Sequence, residues 1–366
     1  MHSTFTRFQM LAALLLFSGL AHAVAVPVPA PPSIDAGGYL LVDHHSGRVL
    51  ASENADERFP PASITKVMTA YVVFKKLQEG AVALDDPVLV SENAWRTGGS
   101  RTFVDVGSRV PLVDLLQGMI VQSGNDASVA LAEHVAGSEE TFAALMNEYA
   151  RVLGMENTHF VNSTGWPDPE HYTTARDIAT LAEATIDEFP DYYHWYAQKE
   201  FTWNEIRQPN RNQLLWRDPS VDGLKTGHTE DAGYCLLASA EREGMRLTSV
   251  ILGSSSEQNR TTATQSLLNY GFNFYETRRL FEAGKQIAET RIYKGVSEQA
   301  PLGVAKDLYV TVQRGQFDEL EASMDLRATI VAPIDTSQPL GEVQVRMGED
   351  VIAKQPLHAL AAVGAG

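Results

Sequence analysis

The chain has 366 residues, which is enough for more than one domain at roughly 150 residues each. Hydrophobic residues make up 44% and charged residues 20%, a composition typical of a soluble globular protein. The formal net charge of −17 argues against nucleic acid and anionic membrane surfaces as partners. The one cysteine, Cys235, cannot form an internal disulfide and has apolar neighbours, so we expect a buried core thiol rather than a nucleophile.

The N-terminal segment, residues 1–23, has the pattern of a secretory signal peptide. Arg7 supplies the positive charge, an apolar stretch follows, and Ala21 and Ala23 form a small-x-small cleavage site. The apolar stretch is too short to span a bilayer as a helix. We therefore expect export and cleavage after Ala23, followed by a Pro/Ala/Val-rich linker, residues 24–33; the alternative is a buried N-terminal helix.

The elements that follow, in chain order, predict an α+β domain over residues 34–280. Strand candidates come first, a series of helices follows, and two further strands precede a last helix. Strands from both ends of a domain predict an antiparallel sheet with helices packed on it. The predicted strands are 39–43, 48–51, 233–240 and 246–252. The predicted helices are 63–77, 112–122, 126–136, 139–153, 173–186 and 264–275.

The sequence pattern changes after about Leu280, where short strand-like segments alternate with residues that favour turns. We predict a small all-β domain at 284–357, with its boundary near Ala283 and Gly284. Its candidate strands are 288–293, 308–312, 326–330 and 343–345. The tail, residues 358–366, has two glycines and lacks Trp, Phe, Lys and Arg, so we expect no amphipathic anchor helix there.

The first chemical motif is Ser63-Ile64-Thr65-Lys66, at the start of a predicted helix. Residues three apart share one face of a helix, so Lys66 should lie one turn beyond Ser63. A serine hydroxyl needs a base to become a nucleophile, and a lysine can be that base only when burial or a nearby cation keeps it neutral. The alternative for this motif alone is a helix N-cap and a surface lysine.

The second motif, Ser123-Gly124-Asn125, separates two predicted helices. A second hydroxyl at Ser123 can pass a proton between Lys66 and a leaving amine, and the Asn125 amide can hold a substrate carbonyl. The alternative is an ordinary turn between two helices, in which the glycine allows a tight connection.

The third motif, Lys225-Thr226-Gly227, precedes the strand predicted at 233–240. A strand beside a cleft can pair with an extended peptide, and Gly227 lets that peptide approach closely. Lys225 would add a positive charge that lowers the pKa of Lys66, and together with Thr226 it would bind an anionic substrate end. The alternative is an ordinary strand end.

In this order, Ser-x-x-Lys, Ser-x-Asn and Lys-Thr-Gly resemble the motifs of the penicillin-recognising serine enzymes. Three stretches, 123–127, 207–212 and 225–229, make the sequence similar to the low-molecular-mass penicillin-binding proteins, the serine-type D-alanyl-D-alanine carboxypeptidases. This resemblance covers about 34–357. It implies a β-lactamase/transpeptidase-like domain, an antiparallel sheet packed with helices, followed by the small all-β domain.

The resemblance also implies a role for each motif residue. Ser63 is the nucleophile, Lys66 its base, and Ser123 assists proton transfer. The substrate-binding residues are Asn125, Lys225, Thr226, Gly227, His228 and Arg260. The backbone N–H groups of Ser63 and His228 would form an oxyanion hole, and Arg260 would hold the terminal carboxylate with its fork of donors, unless it is a surface arginine. No metal or cofactor is expected, since the sequence lacks Cys-x-x-Cys and His-Glu-x-x-His.

The predicted function is therefore hydrolysis of the terminal D-Ala-D-Ala bond of peptidoglycan stem peptides, trimming pentapeptide to tetrapeptide, with penicillins as covalent inhibitors. The alternatives are a β-lactamase, a D,D-endopeptidase or transpeptidase, and a catalytically idle cell-wall binding protein. The expected location is the periplasm, and peripheral attachment to the outer face of the inner membrane stays open.

Overall fold

The computed structural model describes residues 28–366. The predicted signal peptide and the first four residues of the predicted linker lie outside the described residues. The strands between residues 28 and 256 are β1 Gly38–Asp43, β2 Val49–Glu53, β3 Pro87–Leu89, β4 Arg109–Pro111, β5 Glu200–Trp203, β6 Ile206–Pro209, β7 Val221–Thr229, β8 Gly233–Arg242 and β9 Met245–Ser254.

Helices fill the long connection between β2 and β7, and one more follows β9. They are α1 Thr65–Gln78, α2 Glu92–Arg96, α3 Leu112–Gln117, α4 Asn125–Ala136, α5 Glu139–Leu153, α6 Ala175–Glu188, α7 Pro190–Tyr193, α8 Leu214–Arg217 and α9 Glu257–Phe274. Shorter turns of helix occur at Ala62–Ile64 (3-10), Gly118–Gln122 (π) and His194–Ala197 (3-10).

The main sheet is antiparallel and has the strand order β2-β1-β9-β8-β7. Strands from the beginning and the end of the domain meet where β1 pairs with β9, with Leu40 opposite Val250. The predicted antiparallel sheet built from both ends of the domain is confirmed. Strand β7 lies at one edge of this sheet, so one of its two sides is open to a further chain.

The sheet separates two apolar cores. Successive side chains of a strand point to opposite faces, and β1 shows this directly. Leu40 and Val42 belong to the core that contains α1, whereas Tyr39 and Leu41 belong to the core that contains α9. Every residue of α1 from Thr65 to Phe74 is buried, as the nearly all-apolar sequence of this helix predicted.

The last helix of this domain begins earlier than predicted. The sequence analysis placed it at 264–275, but α9 starts at Glu257, because the hydroxyl of Ser256 caps it by accepting a hydrogen bond from the N–H of Asn259 (3.1 Å). The first turns of α9 are polar and have little apolar periodicity, so the sequence analysis did not recognise them as helical. As a consequence, Arg260 lies on a helix and not in a loop.

The C-terminal part of the chain, from Tyr275 onward, is built of strands. These are β10 Tyr275–Phe281, β11 Ala288–Arg291, β12 Gln299–Val304, β13 Leu308–Gln313, β14 Leu320–Leu326, β15 Pro339–Met347 and β16 Asp350–Ala359. Strand β10 pairs with β13, and the others form an antiparallel sheet in the order β11-β12-β16-β15-β14. The sequence analysis missed β12 and β16 and displaced β14 to 326–330, because β14 is an exposed edge strand without a buried face.

Residues 358–366, which were predicted as a tail, contact the C-terminal domain. Val363 is buried and bridges to Ile334, and Ala365 bridges to Gly295. The two domains also touch at the β1–β2 turn, where Arg48 Nη1 donates to the carbonyl of Thr311 (2.6 Å). Between residues 28 and 366, none of the helices is both long and apolar enough to cross a membrane.

Candidate active site

A cleft with a volume of about 590 Å³ opens between the start of α1, the edge strand β7 and the loops that precede α4 and α6. Seven of the nine site residues predicted from the sequence line it: Ser63, Ser123, Asn125, Thr226, Gly227, His228 and Arg260. The other two, Lys66 and Lys225, are buried next to these residues. Folding thus brings all three motifs to one place. Residues of the cleft that the sequence analysis did not single out include Gly99, Ser100, Thr164, Trp166 and Arg211.

Ser63 and Lys66 are in direct contact. Ser63 lies in the 3-10 turn that leads into α1, and Lys66 is on the first turn of that helix. Lys66 Nζ donates to Ser63 Oγ at 2.9 Å and to the carbonyl of Thr164 at 2.6 Å. The lysine side chain is thereby held in one position, with its nitrogen in proton-transfer reach of the serine oxygen.

Burial, and after it the nearby positive charge of Arg211, lowers the pKa of Lys66 to about 7, against opposing effects of Asp126 and Glu139. The residue is only 1% exposed. The cation that lowers the pKa of Lys66 is Arg211, in place of the expected Lys225. Lys225 is itself buried, and burial followed by the charges of Lys66 and Arg211 lowers its own pKa well below the usual value.

The Ser-x-Asn motif follows the π turn at Gly118–Gln122. Ser123 has a positive φ of 68°, and Gly124 is required because a Cβ there would collide with Thr102 Oγ1. Ser123 Oγ and Asn125 Oδ1 are buried and have no hydrogen-bond partner within the described part of the chain. Asn125 Nδ2 is already bonded to the carbonyl of Gly98 (2.7 Å), so its free oxygen can accept an N–H of a bound peptide.

Asp126 is a functional neighbour that the sequence analysis missed. Its carboxylate is fully buried and accepts backbone N–H groups from Thr102 (2.7 Å), Phe103 (2.9 Å) and Ala127 (2.9 Å). It therefore ties the loop that contains Ser100 to the start of α4. The signal was present in the sequence, because an aspartate in the first turn of a helix is suited to accept backbone N–H groups.

Strand β7 passes very close to the nucleophile. A Cβ on Gly227 would lie 3.2 Å from the backbone nitrogen of Ser63 and 3.1 Å from the carbonyl oxygen of Pro61, so only glycine fits without displacement. The next residue, His228, stacks its ring on Tyr234 (centroids 3.9 Å apart). The backbone of β7 and the Ser63 turn are thus adjacent, as an oxyanion hole made from both would require.

The two arginines of the cleft differ in their partners. Arg260 is buried, and its Nη1 donates to the carbonyls of Gly227 (3.0 Å) and Cys235 (3.4 Å), while Glu257 lies 3.4 Å from its Nη2. Arg211 lines the cleft and is exposed, and no carboxylate between residues 28 and 366 forms an ion pair with it. Arg211 is therefore the arginine whose guanidinium is open to a ligand.

Comparison with known families agrees with this geometry. The family described as D-alanyl-D-alanine carboxypeptidase matches residues 24–256, which is more than half of the chain. A second family, described as the C-terminal domain of penicillin-binding protein 5, matches residues 275–365. This chain belongs to the D-alanyl-D-alanine carboxypeptidase family. Its two matched regions correspond to the α+β domain and to the all-β part of the fold.

Individual relatives of this carboxypeptidase cover nearly all of its length. D-alanyl-D-alanine carboxypeptidase DacA of Escherichia coli (strain K12) is 41% identical over 362 residues, which are 96% of this chain and 90% of the relative. DacC of the same strain is 42% identical, with 97% and 90% covered. The solved structure of penicillin binding protein 5 from Haemophilus influenzae superposes with a TM-score of 0.88 at 41% identity, covering 92% of this chain and 99% of that one.

The family membership, the fold class and the enzyme class predicted from the sequence are confirmed. This carboxypeptidase is a serine peptidase that hydrolyses the terminal D-Ala-D-Ala bond. The β-lactamase and the idle binding protein are not favoured. The D-alanyl-D-alanine endopeptidase of Pseudomonas aeruginosa is 33% identical, but the match covers 63% of this chain, less than the carboxypeptidases cover.

Proposed function

We propose that the carboxypeptidase trims peptidoglycan stem peptides through an acyl-enzyme on Ser63, with Lys66 as the base. The observation that carries this proposal is the 2.9 Å contact between Lys66 Nζ and Ser63 Oγ, made by a buried lysine whose pKa is lowered to about 7. At neutral pH, Lys66 is therefore uncharged in a large fraction of the molecules and can take the serine proton.

In the first step, Ser63 Oγ attacks the carbonyl carbon of the penultimate D-alanine while its proton moves to Lys66 Nζ. The carbonyl oxygen becomes negative and is stabilised by the backbone N–H groups of Ser63 and His228. The C–N bond then breaks, and the nitrogen of the departing D-alanine receives a proton. The Ser123 hydroxyl, which is buried in the cleft and has no partner among residues 28–366, passes that proton from Lys66.

In the second step, a water molecule attacks the ester carbonyl and gives its proton to Lys66. The ester C–O bond breaks, Ser63 regains a proton, and the shortened peptide leaves with a new carboxylate. The peptide lies along β7, where Thr226 and Gly227 line the cleft, and Asn125 Oδ1 accepts one of its N–H groups.

The terminal carboxylate of the substrate is held by two arginines with different tasks. Arg211 makes the direct contact, because it is exposed in the cleft and lacks a carboxylate partner among residues 28–366. Arg260 adds positive charge from behind β7, whose backbone it fixes through the carbonyl of Gly227. Lys225, which donates to the carbonyl of Thr226 (3.0 Å), also supports this strand.

The cellular setting follows from the same assignment. Residues 1–23 direct export, and the enzyme acts on peptidoglycan in the periplasm. Penicillins acylate Ser63 in place of the peptide. This is supported by the structure of penicillin-binding protein D2 of Listeria monocytogenes in an ampicillin-bound form, which is 28% identical and superposes with a TM-score of 0.59.

Mass spectrometry after exposure to benzylpenicillin tests the proposal. We expect one adduct, on the peptide that contains Ser63, and release of free D-alanine from a stem pentapeptide. Both should be lost in Ser63→Ala and kept in Ser108→Ala, whose hydroxyl bonds the carbonyl of Asp105 and does not line the cleft. An adduct on another residue, or D-alanine release by Ser63→Ala, would overturn the assignment.

A further inference from the structure

Trp166 places a large apolar side chain at the rim of an otherwise polar cleft. Its side chain lines the cleft and is 53% exposed. Its backbone is fixed, because its N–H donates to Asn162 Oδ1 (3.1 Å) and its carbonyl accepts from Asn162 Nδ2 (3.0 Å). The same loop provides the carbonyl of Thr164 that holds Lys66. The indole is thus presented by a rigid segment that also positions the catalytic base.

The indole rests on the backbone of a second loop. A Cβ on Gly99 would lie 3.3 Å from the indole ring, and one on Gly98 would lie 3.6 Å from it. These glycines leave the space in which the ring packs, and the packing fixes where the ring stands. The Trp166 side chain therefore has little conformational freedom left to lose when a ligand binds. A ligand that contacts the ring gains binding energy at a low entropic cost.

The other aromatic residue among those that line the cleft, Tyr234, has its ring already covered. His228 stacks on it with ring centroids 3.9 Å apart and an interplanar angle of 12°, and the Arg260 guanidinium lies 5.5 Å from its centroid. Trp166 therefore provides the uncovered aromatic surface in this cleft. An exposed apolar side chain beside polar binding groups is typical of a ligand contact.

The position of Trp166 selects one end of the substrate. The indole packs on Gly99, and a Cβ on Gly99 would also lie 2.7 Å from Asn125 Nδ2. Trp166 and Asn125 thus belong to the same wall of the cleft. Arg260, by contrast, bonds the carbonyl of Gly227 on β7. Burial lowers the pKa of Arg260, and Arg211 is close enough for its charge to lower that pKa as well. The apolar surface is left for the part of the ligand that stays attached to Ser63.

We propose that Trp166 forms an apolar subsite for the acyl portion of the substrate. Its ligands are the aliphatic chain of the residue before D-Ala-D-Ala in a stem peptide and the aryl side chain of a penicillin. This inference rests on the proposed function of the cleft and adds a specificity-determining residue to it. The contact is made far from the scissile bond, so it raises the rate of the acylation step through remote binding energy.

Paired ligands test the subsite. One pair is a diacetyl-L-Lys-D-Ala-D-Ala peptide and an acetyl-D-Ala-D-Ala peptide that lacks the lysine; the other is benzylpenicillin and the penicillin nucleus without its aryl group. For Trp166→Ala we expect kcat/KM or the acylation rate to fall about three- to tenfold for the larger member of each pair, a size typical of one aromatic contact. The rate for the smaller member should stay at the wild-type value.

Two further variants serve as controls. Trp166→Phe should keep most of the preference for the larger ligand, because it retains an aromatic face. Trp216→Ala should change neither rate, since Trp216 is exposed on α8 and does not line the cleft. Equal loss for both members of a pair, or no loss, would overturn the subsite. If the wild-type protein formed no adduct on Ser63 at all, the proposed function itself would fail.

Discussion

The two domains differ in how many polar side chains they bury. The first domain buries two lysines in its active site and leaves Ser123 Oγ and Asn125 Oδ1 without a partner among residues 28–366. Among the described residues from Tyr275 onward, Thr311 is the one polar side chain that is buried as a whole, and its hydroxyl bonds those of Ser46 and Thr277. Two single atoms there, Gln316 Oε1 and His358 Nδ1, are buried without a partner in the described part of the chain.

An unpaired buried polar group costs about 1–3 kcal/mol, so Ser123 Oγ and Asn125 Oδ1, which lie in the cleft, are suited to a ligand that supplies their missing hydrogen bonds. The first domain thus contains the polar groups available for the reaction, whereas the C-terminal domain has mainly apolar cores. Substitutions in the cleft should therefore change the rate of the reaction. Substitutions in the C-terminal core should change the free energy of unfolding and leave the rate unaffected.

The largest effect on rate, apart from loss of the nucleophile, is expected for Lys66→Met. This change removes the base and keeps an apolar chain of similar length, so acylation by benzylpenicillin should slow by about 10²- to 10⁴-fold. Time-resolved mass spectrometry of the adduct measures the rate. The matched change Lys354→Met, on the exposed face of β16, should leave the rate unchanged. If benzylpenicillin acylated the Lys66→Met protein at the wild-type rate, Lys66 would not be the base, and its burial in the first domain would not serve the reaction.

Arg211→Ala should have the next largest effect. Losing a charge-assisted contact to the terminal carboxylate should lower kcat/KM for D-alanine release about ten- to a hundredfold. The control is chemical: a peptide that ends in an amide lacks the carboxylate, so on this peptide the variant should lose only the smaller factor that comes from removing a positive charge near Lys66. If the variant loses the same factor on both peptides, Arg211 does not contact the carboxylate.

The pH dependence should follow the titration of Lys66. Its pKa is lowered from 10.5 to about 7, mainly by burial, so the neutral, competent form accumulates as the pH rises through that value. We expect kcat/KM to rise about tenfold per pH unit on the acid side and to level off above pH 7. A rate profile that stays flat between acid and neutral pH would show that another group is the base.

The same shift affects the free energy of unfolding with a defined sign. Between about pH 7 and pH 10.5 the folded state binds fewer protons at Lys66 than the unfolded state, so this group makes folding more favourable as the pH rises through that window. The destabilisation caused by this lysine is therefore greatest below about pH 7.

The smallest effect on rate is expected in the C-terminal domain. Leu357 is fully buried between the strands of that domain, and Leu357→Ala should lower the free energy of unfolding by about 2–5 kcal/mol. D-alanine release by the folded protein should match the wild type. Calorimetry and an activity assay at low temperature measure the two quantities, with the half-exposed Val351→Ala as the control. A loss of activity in the folded Leu357→Ala protein would link the domains functionally.

The sequence predicted regular elements well where local signals were strong and poorly where they were weak. Helix α5 was predicted at 139–153, the bounds that the structure has, because Ser138 caps it and Gly154 ends it. The displaced β14 is an exposed edge strand whose apolar and polar residues do alternate, but Glu321, Ala322 and Asp325 are poor strand formers, which weakened the signal. Pairing between distant strands, such as β12 with β16, leaves little trace in either segment.

By itself, the sequence determined the chemistry of this enzyme, because the motifs place a hydroxyl, an amine and a glycine at spacings that local backbone geometry converts into a site. Only the tertiary structure decided which charge acts on which group. Arg211 influences Lys66 although 145 positions separate them, Arg260 is committed to the carbonyl of Gly227, and Trp166 stands uncovered on Gly99. Such effects depend on distance and burial in space, and neither can be read from separation along the chain.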